Sequence, residues 1–218
     1  MLRTVTLFAV AAAAAAQLEA VCVFSGTTGN EDVKGDVRFT EAPTGMDIDV
    51  AITGLKEGKH GIHVHTYGDI TGPTGTSTGG HYNPFDEEHG CFPVAPAGGA
   101  PPIDDRARKA GDMGNVVVDG AGRGIYRERG NELMKLSCAA AGCASVLGRG
   151  VIVHIAEDNC VRVEGAGGDL SAGARVGQCT IGLSEPKSAA ALASKARIAA
   201  VFAAWNTTAP FVADRSIL

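Results

Sequence analysis

The sequence predicts an all-β domain, an eight-stranded Greek-key β-barrel interrupted by two long connections. Three observations point there. Thirty glycines and nine prolines among 218 residues, with few long helical patterns, favour short strands joined by turns. Alternating or β-rich runs recur at residues 21–25, 33–40, 46–53, 61–67, 115–119, 124–128, 150–155 and 178–183, which makes eight strands. Turn signals separate them, and such spacing suits a Greek-key barrel. A hydrophobic content of 45 % is enough for one core, and the net charge of −5 gives no basic footprint for nucleic acid.

Residues 1–20 read as a secretory signal. Arg3 supplies the positive start, residues 5–16 the apolar middle, and Ala14-Ala15-Ala16 a small-residue cleavage site, with a second cut available after Ala20. The apolar run is too short to span a membrane. The expected mature protein is therefore secreted, extracellular or held at the cell surface, with its barrel domain at residues 21–183. The turns that divide the first strands are Thr28-Gly29-Asn30, Pro43-Thr44-Gly45 and residues 54–58, and Asp119-Gly120 opens another.

The fourth strand carries His60-Gly61-Ile62-His63-Val64-His65. Side chains alternate along a strand, so His63 and His65 face one way, about 7 Å apart, and one metal ion can bridge them. His60 lies an odd number of residues from His63 and points away from that face. The connection over residues 68–111 is long for a compact domain, and loops of that length are usually functional or disordered. It brings His81 and His89 and closes at Asp112, while His154 ends the run Val151-Ile152-Val153 and can reach the same place from another strand. Imidazoles with one carboxylate suit zinc and copper, whereas magnesium or calcium calls for oxygen ligands.

Beyond residue 183 the composition turns Ala-rich. In the tail, residues 184–218, Ile198, Val201, Phe202 and Trp205 fall at helical spacing and predict an amphipathic helix lying on the barrel or in solvent. The competing role is attachment to a surface or a lipid, although Asp214-Arg215 spoils a glycolipid-anchor signal. Asn206-Thr207-Thr208 is a glycosylation sequon in an exported chain.

The strings His60 to Asp69, Gly80-His81-Tyr82-Asn83-Pro84, Gly111-Asp112-Met113-Gly114-Asn115-Val116, Gly148-Arg149-Gly150-Val151-Ile152-Val153-His154 and Ala172-Gly173-Ala174-Arg175 resemble the copper/zinc superoxide dismutases, in the family's order. The resemblance covers about residues 20–183. It implies an antioxidant oxidoreductase that converts superoxide to oxygen and hydrogen peroxide on a cycling copper ion. It assigns copper to His63, His65, His81 and His154, with His81 as a bridging imidazole that releases copper on reduction and carries a proton. Arg175 matches the active-site arginine that attracts superoxide, and His60 and Asp158 match supporting positions behind the ligands. Residues 68–111 become the metal-binding loop and residues 157–175 the electrostatic loop. Family members are often dimers, so a homodimer is an inherited expectation.

The zinc pattern is broken. Its ligands would be His81, His89, a histidine three residues before the aspartate, and Asp112, but that third position is Lys109. An ammonium has no lone pair for a metal, so a closed four-ligand site is lost. Either zinc binds through the remaining three groups and a water, or the Lys109 charge lies near Asp112 and His89 and stands in for zinc in a copper-only enzyme, the reading preferred here. A Lys109 pointing into solvent stays open.

Six cysteines in an exported chain allow fifteen complete pairings. The family's disulfide joins a loop cysteine to the last strand, but the loop position here is Gly75, and Cys179 stands four residues after Arg175 where the family has three. Either a bulge is present or Gln178 fills the old place. Cys160 and Cys91 are the expected substitutes as partners for Cys179, Cys138 and Cys143 flank a small turn and can pair locally, and Cys22, in an apolar run, is expected as a buried free thiol. Two other functions compete. A noncatalytic copper-binding module on the same scaffold predicts a missing copper histidine or a missing Arg175, and neither is missing. A zinc hydrolase would use His63, His65 and a third histidine, but no close Asp-His pair follows the motif.

Overall fold

β-Branched and apolar residues at every second position force each strand to bury one face, and the structure, a computed structural model, shows where those faces meet. It describes residues 18–91, 108–138, 143–160 and 172–185. The chain divides into a unit ending at Ser184 and a second, Glu185–Leu218. The expected leader, the helix through Trp205 and the Asn206 sequon lie outside the described residues, apart from the end of the leader range.

In the first unit the strands are β1 (Glu19–Gly26), β2 (Lys34–Ala42), β3 (Gly45–Thr53), β4 (Gly58–His65), β5 (Asp112–Val118), β6 (Arg123–Asn131), β7 (Met134–Lys135), β8 (Ala144–Ser145), β9 (Gly150–His154), β10 (Arg175–Thr180) and β11 (Gly182–Leu183). The eight predicted runs are all strands. The last splits into β10 and β11, and the short parallel pair β7–β8 was not among the predicted runs. Neighbours in the main sheet run β10-β9-β4-β5-β6-β3-β2-β1, and β10 pairs back onto β1, so the eight antiparallel strands close into a barrel. The connection from β3 to β4 crosses from one side of the barrel to the other, which is the Greek-key step.

The interior is filled by Phe39, Met46, Ile48, Ile52, Ile62, Val64, Met113, Val116, Val151, Val153 and Ile181, all fully buried. On β4, Ile62 and Val64 face this core while His63 and His65 take the opposite face, as strand parity requires. That outer face is buried too, and His81, His89 and Asp158 from the two long connections lie against His63 on it.

Three disulfides form, and no cysteine among them is free. Cys138–Cys143 pairs locally as expected. The other two expectations fail. Cys22 is no free thiol but bonds Cys179, and Cys91 and Cys160 bond each other instead of supplying a partner for Cys179. The reason is strand geometry: Cys22 and Cys179 are buried on the adjacent strands β1 and β10, a proximity that a sequence separation of 157 conceals.

Both explanations for the displaced cysteine hold together. The pairing of β10 with β9 shifts between Arg175 and Gly177, a bulge at Val176, and Gln178 occupies the place facing the loop. Its Nε2 donates to the carbonyls of Ile70 at 3.4 Å and Gly72 at 3.1 Å. Gly75 itself has φ 75°, and a Cβ there would sit 3.3–3.4 Å from Ile152 and Arg175, so a side chain at that position meets the packed base of the loop.

Candidate metal centre

Backbone pairing places the candidate residues side by side before any side chain is considered. His63 is paired with Asp112 across β4 and β5, His65 forms an isolated bridge with His81, and His154 of β9 is paired with Arg175 of β10. Loop residues thus join strand residues at one spot on the barrel wall. The rings of His63 and His65 are 6.4 Å apart, and His81 stacks on His63 at 3.9 Å.

Each of His63, His65, His81 and His154 offers a ring nitrogen such that all four lie within 4.8 Å of one another. The hydrogen bonds say which nitrogen. His63 gives Nε2 to Asp158 Oδ2 at 2.6 Å, His65 gives Nδ1 to the Gly79 carbonyl at 2.9 Å, and His154 gives Nδ1 to the Gly173 carbonyl at 2.9 Å. That leaves His63 Nδ1, His65 Nε2 and His154 Nε2 buried with no hydrogen-bond partner among the described residues. Three convergent orphan acceptors would be costly in a merely structural core and are what a metal ion satisfies. His81 places Nδ1 at 2.7 Å from Asp112 Oδ1, so Nε2 is the atom left for this cluster.

Three of the rings, His63, His65 and His154, are pushed toward the neutral form that ligation requires. Burial pushes His63 and His65 well below the ordinary histidine range, and the neighbouring imidazoles add to it. His154 falls to about 4, chiefly through burial, against the pull of the Gly173 carbonyl.

Arg175 lies on the same face. Its guanidinium donates to the carbonyls of Gly75 and Gly79 at 2.7 Å each and to Thr78 Oγ1 at 3.1 Å, and its charge disfavours protonation of His65 and His154. His65 and Arg175 therefore share the Gly79 carbonyl. His60 is not in the cluster. Its Nδ1 meets the His154 carbonyl and its Nε2 the Lys56 carbonyl, each at 2.9 Å, so it fixes the backbone under His154.

A second cluster brings together His81, His89 and Asp112. Here Asp112 Oδ1 takes His81, and Oδ2 accepts from the Gly90 N–H at 2.9 Å and lies 3.0 Å from His89 Nδ1. His89 Nε2 continues to Asp158 Oδ1 at 2.9 Å. Burial would lower His89, but the Asp112 and Asp158 carboxylates outweigh it and raise it to about 9. Burial likewise opposes the charge on Asp112, and hydrogen bonds from His81 and His89 hold it well below the usual carboxylate range. Lys109 is buried yet makes no ion pair or side-chain hydrogen bond among the described residues, and the group that lies between these two carboxylates is the His89 ring. Among the described residues no fourth ligand joins His81, His89 and Asp112. A third grouping, Cys91, Asp158 and Cys160, is closed by the disulfide.

Sequence reasoning missed several supports. Arg108, fully buried, donates to the Asp112 carbonyl and lies 3.6 Å from Glu128, which also takes the Tyr126 hydroxyl and the Asn131 amide. Glu128 sits at an inward position of β6, and a charge there was the available signal for a buried partner. The Asn115 side chain holds the backbone of Asp158, its Nδ2 donating to the Asp158 carbonyl and its Oδ1 accepting from the Asp158 N–H, each at 2.8 Å, and Arg149 lies 3.5 Å over the Tyr82 ring beside His81. Gly61 is required by close approach, since a Cβ there would stand 2.8 Å from Ala172 and 3.2 Å from both Asp158 and His63.

A Greek-key barrel with four converging imidazoles, three of them through buried unpaired nitrogens, defines a metal-binding β-barrel protein. The chain belongs to the copper/zinc superoxide dismutase family, whose sequence pattern matches residues 33–181. It is similar to superoxide dismutase [Cu-Zn] 2 of Mesembryanthemum crystallinum, 38 % identical over 172 residues, covering 76 % of this chain and 96 % of that one. It also resembles superoxide dismutase [Cu-Zn] 5 of Dictyostelium discoideum, 33 % identical with 77 % and 99 % covered. The superoxide dismutase [Cu-Zn] of Paramecium bursaria Chlorella virus 1 is 36 % identical, with 69 % and 73 % covered. Among solved structures, one described as the clock protein EA4 superposes with a TM-score of 0.59 at 29 % identity, covering 78 % of this chain and 97 % of the other.

Proposed function

We propose that the protein is an extracellular copper-dependent superoxide dismutase, with copper held by His63, His65, His81 and His154. The observation that carries this reading is the set of three buried, unpartnered imidazole nitrogens converging with His81 on one point. Bound copper, alternating between two oxidation states, supplies the electron exchange by which one superoxide is oxidised to oxygen and a second is reduced, with two protons, to hydrogen peroxide.

The residues of the chain do the rest. Arg175 presents its guanidinium beside His154 and draws the superoxide anion toward the cluster despite the negative net charge of −5. Carbonyls of Gly75 and Gly79 fix that side chain. His81 is the ring positioned to carry a proton. Its side chain is 5 % exposed where His63 is fully enclosed, and Asp112 fixes its Nδ1 so that a proton is taken and returned at Nε2. Asp158 and the Gly79 and Gly173 carbonyls lock the other three rings in the tautomer that faces the metal.

Zinc is a secondary part of the proposal. His81, His89 and Asp112 offer three donors, so any zinc held there completes its shell with water and binds more weakly than in a four-ligand site. Export is supported by the pairing of all six cysteines, which an oxidising compartment favours. Glu19 and Ala20 are paired with Thr40 and Phe39 in β1, which favours leader cleavage after Ala16 over the cut after Ala20. A homodimer is supported by exposed Val23 and Leu183 on the paired strands β1 and β11.

Stopped-flow decay of superoxide on the copper-loaded protein, with peroxide counted, tests the reading. One peroxide per two superoxide at a rate well above spontaneous decay is expected. Full copper binding without acceleration would make the chain a noncatalytic copper module and overturn it.

A further inference from the structure

Among the described residues the donor set of the second cluster stops at three, and the side chain of Lys109, at the place of the fourth, makes no bond to it. A four-coordinate ion there would cross-link the loop after β4 to the start of β5. Something else ties the loops here. Cys91–Cys160 joins the β4–β5 connection to the β9–β10 connection across a sequence separation of 69. Each cysteine stands two positions beyond one partner of the His89–Asp158 hydrogen bond, so the disulfide brackets that bond.

From this bracket, contacts run both ways. Toward one side the Cys160 N–H donates to Asp158 Oδ1 at 2.8 Å, and the other oxygen of Asp158 holds His63 Nε2 at 2.6 Å, turning Nδ1 into the four-histidine cluster. Toward the other, Gly90, next to Cys91, donates its N–H to Asp112 Oδ2 at 2.9 Å, and Oδ1 of the same carboxylate holds His81 at 2.7 Å. Two of the four rings are thus oriented by carboxylates that the disulfide pins in place.

We propose that Cys91–Cys160 is the cross-link that replaces the second metal: it fixes Asp158 and Asp112, and through them His63 and His81, so that the four-histidine cluster is organised without zinc. Cys91 and Cys160 are positioning residues. The proposal rests on reading that cluster as the copper site.

The test compares wild type with a Cys91→Ser/Cys160→Ser protein. In the metal-free state, hydrogen exchange at the amides of Gly90 and residue 160 accelerates about tenfold or more, while amides of β2 and β3 keep their protection and show that the barrel is folded. With copper added, release to a chelator quickens about tenfold, in the range expected when an outer support of a ligand is lost. Adding Lys109→His to the Cys91→Ser/Cys160→Ser protein and supplying zinc restores slow release. Unchanged exchange, unchanged copper release, or no recovery with Lys109→His and zinc would each overturn the proposal. If the variant does not fold, mild reduction of a folded Cys138→Ser/Cys143→Ser protein opens the exposed Cys160 bond while the buried Cys22–Cys179 bond stays closed, and the same readings are taken. A wild type that binds no copper sinks the copper reading, and the exchange arm, which needs no metal, then decides this one.

Discussion

Asp158 accepts from two imidazoles at once, His63 at 2.6 Å and His89 at 2.9 Å, and so decides which nitrogen of His63 remains for a metal. An asparagine has one acceptor oxygen for these two donors and turns its NH2 toward the other. Asp158→Asn is therefore expected to weaken copper binding about 10–100-fold, read by chelator competition, and equal affinity would contradict this role. Arg175 shows the same dependence on exact chemistry. Arg175→Lys keeps the charge but loses the fork that reaches Gly75, Thr78 and Gly79, whereas Arg175→Ala loses both. The alanine protein should lose about tenfold in its second-order rate with superoxide, with a flatter dependence on ionic strength, and the lysine protein should fall between. At this scale the histidines were legible because motif spacing and strand parity both name them. Cys22 was not, because an apolar neighbourhood suits a free thiol and a half-cystine equally, and its partner is set by which strands meet.

Gln178 shows how one element can take over the work of another. The connection after β4 is held on β10 by Gln178, by Arg175, and by the Thr180 hydroxyl on the Gly68 carbonyl at 2.7 Å, with no covalent bond at Gly75. Each such bond is worth about 1 kcal/mol. Gln178→Ala should speed hydrogen exchange at Thr78 and Gly79, whose amides close the short helical turn Thr76–Thr78, and leave β2 and β3 unchanged. No change at those amides would show that the glutamine does not hold the loop. The strands themselves were legible in period-two patterns, and the turn chemistry at Pro43-Thr44 and Asp119 was legible too. Asp119 accepts from the N–H groups of Ala121 and Arg123 at 2.9 Å. The two-residue strands β7 and β8 are too short to carry any pattern, and they form only because neighbouring strands bring them together.

The main sheet of the first unit is closed, and closure happens where β10 returns to β1. Cys22–Cys179 lies at that seam, buried, linking residues 157 apart in sequence. Replacing both cysteines by alanine is expected to cost about 2–5 kcal/mol, seen as a lower denaturation midpoint with the barrel still formed, and an unchanged midpoint would contradict a structural role for the bond. The Greek-key class was legible from strand number and spacing, since eight half-buried strands with one pair of long connections leave few ways to close a core. The disulfide map was not, because it depends on the order of strands around the barrel.

Copper and zinc per chain, measured on protein refolded with both metals and assayed for superoxide dismutation on the same sample, test the central claim most directly. The account predicts about one copper, substoichiometric zinc and full activity, with zinc rising on Lys109→His. An inactive copper-loaded protein, or activity that appears only with stoichiometric zinc, would contradict it.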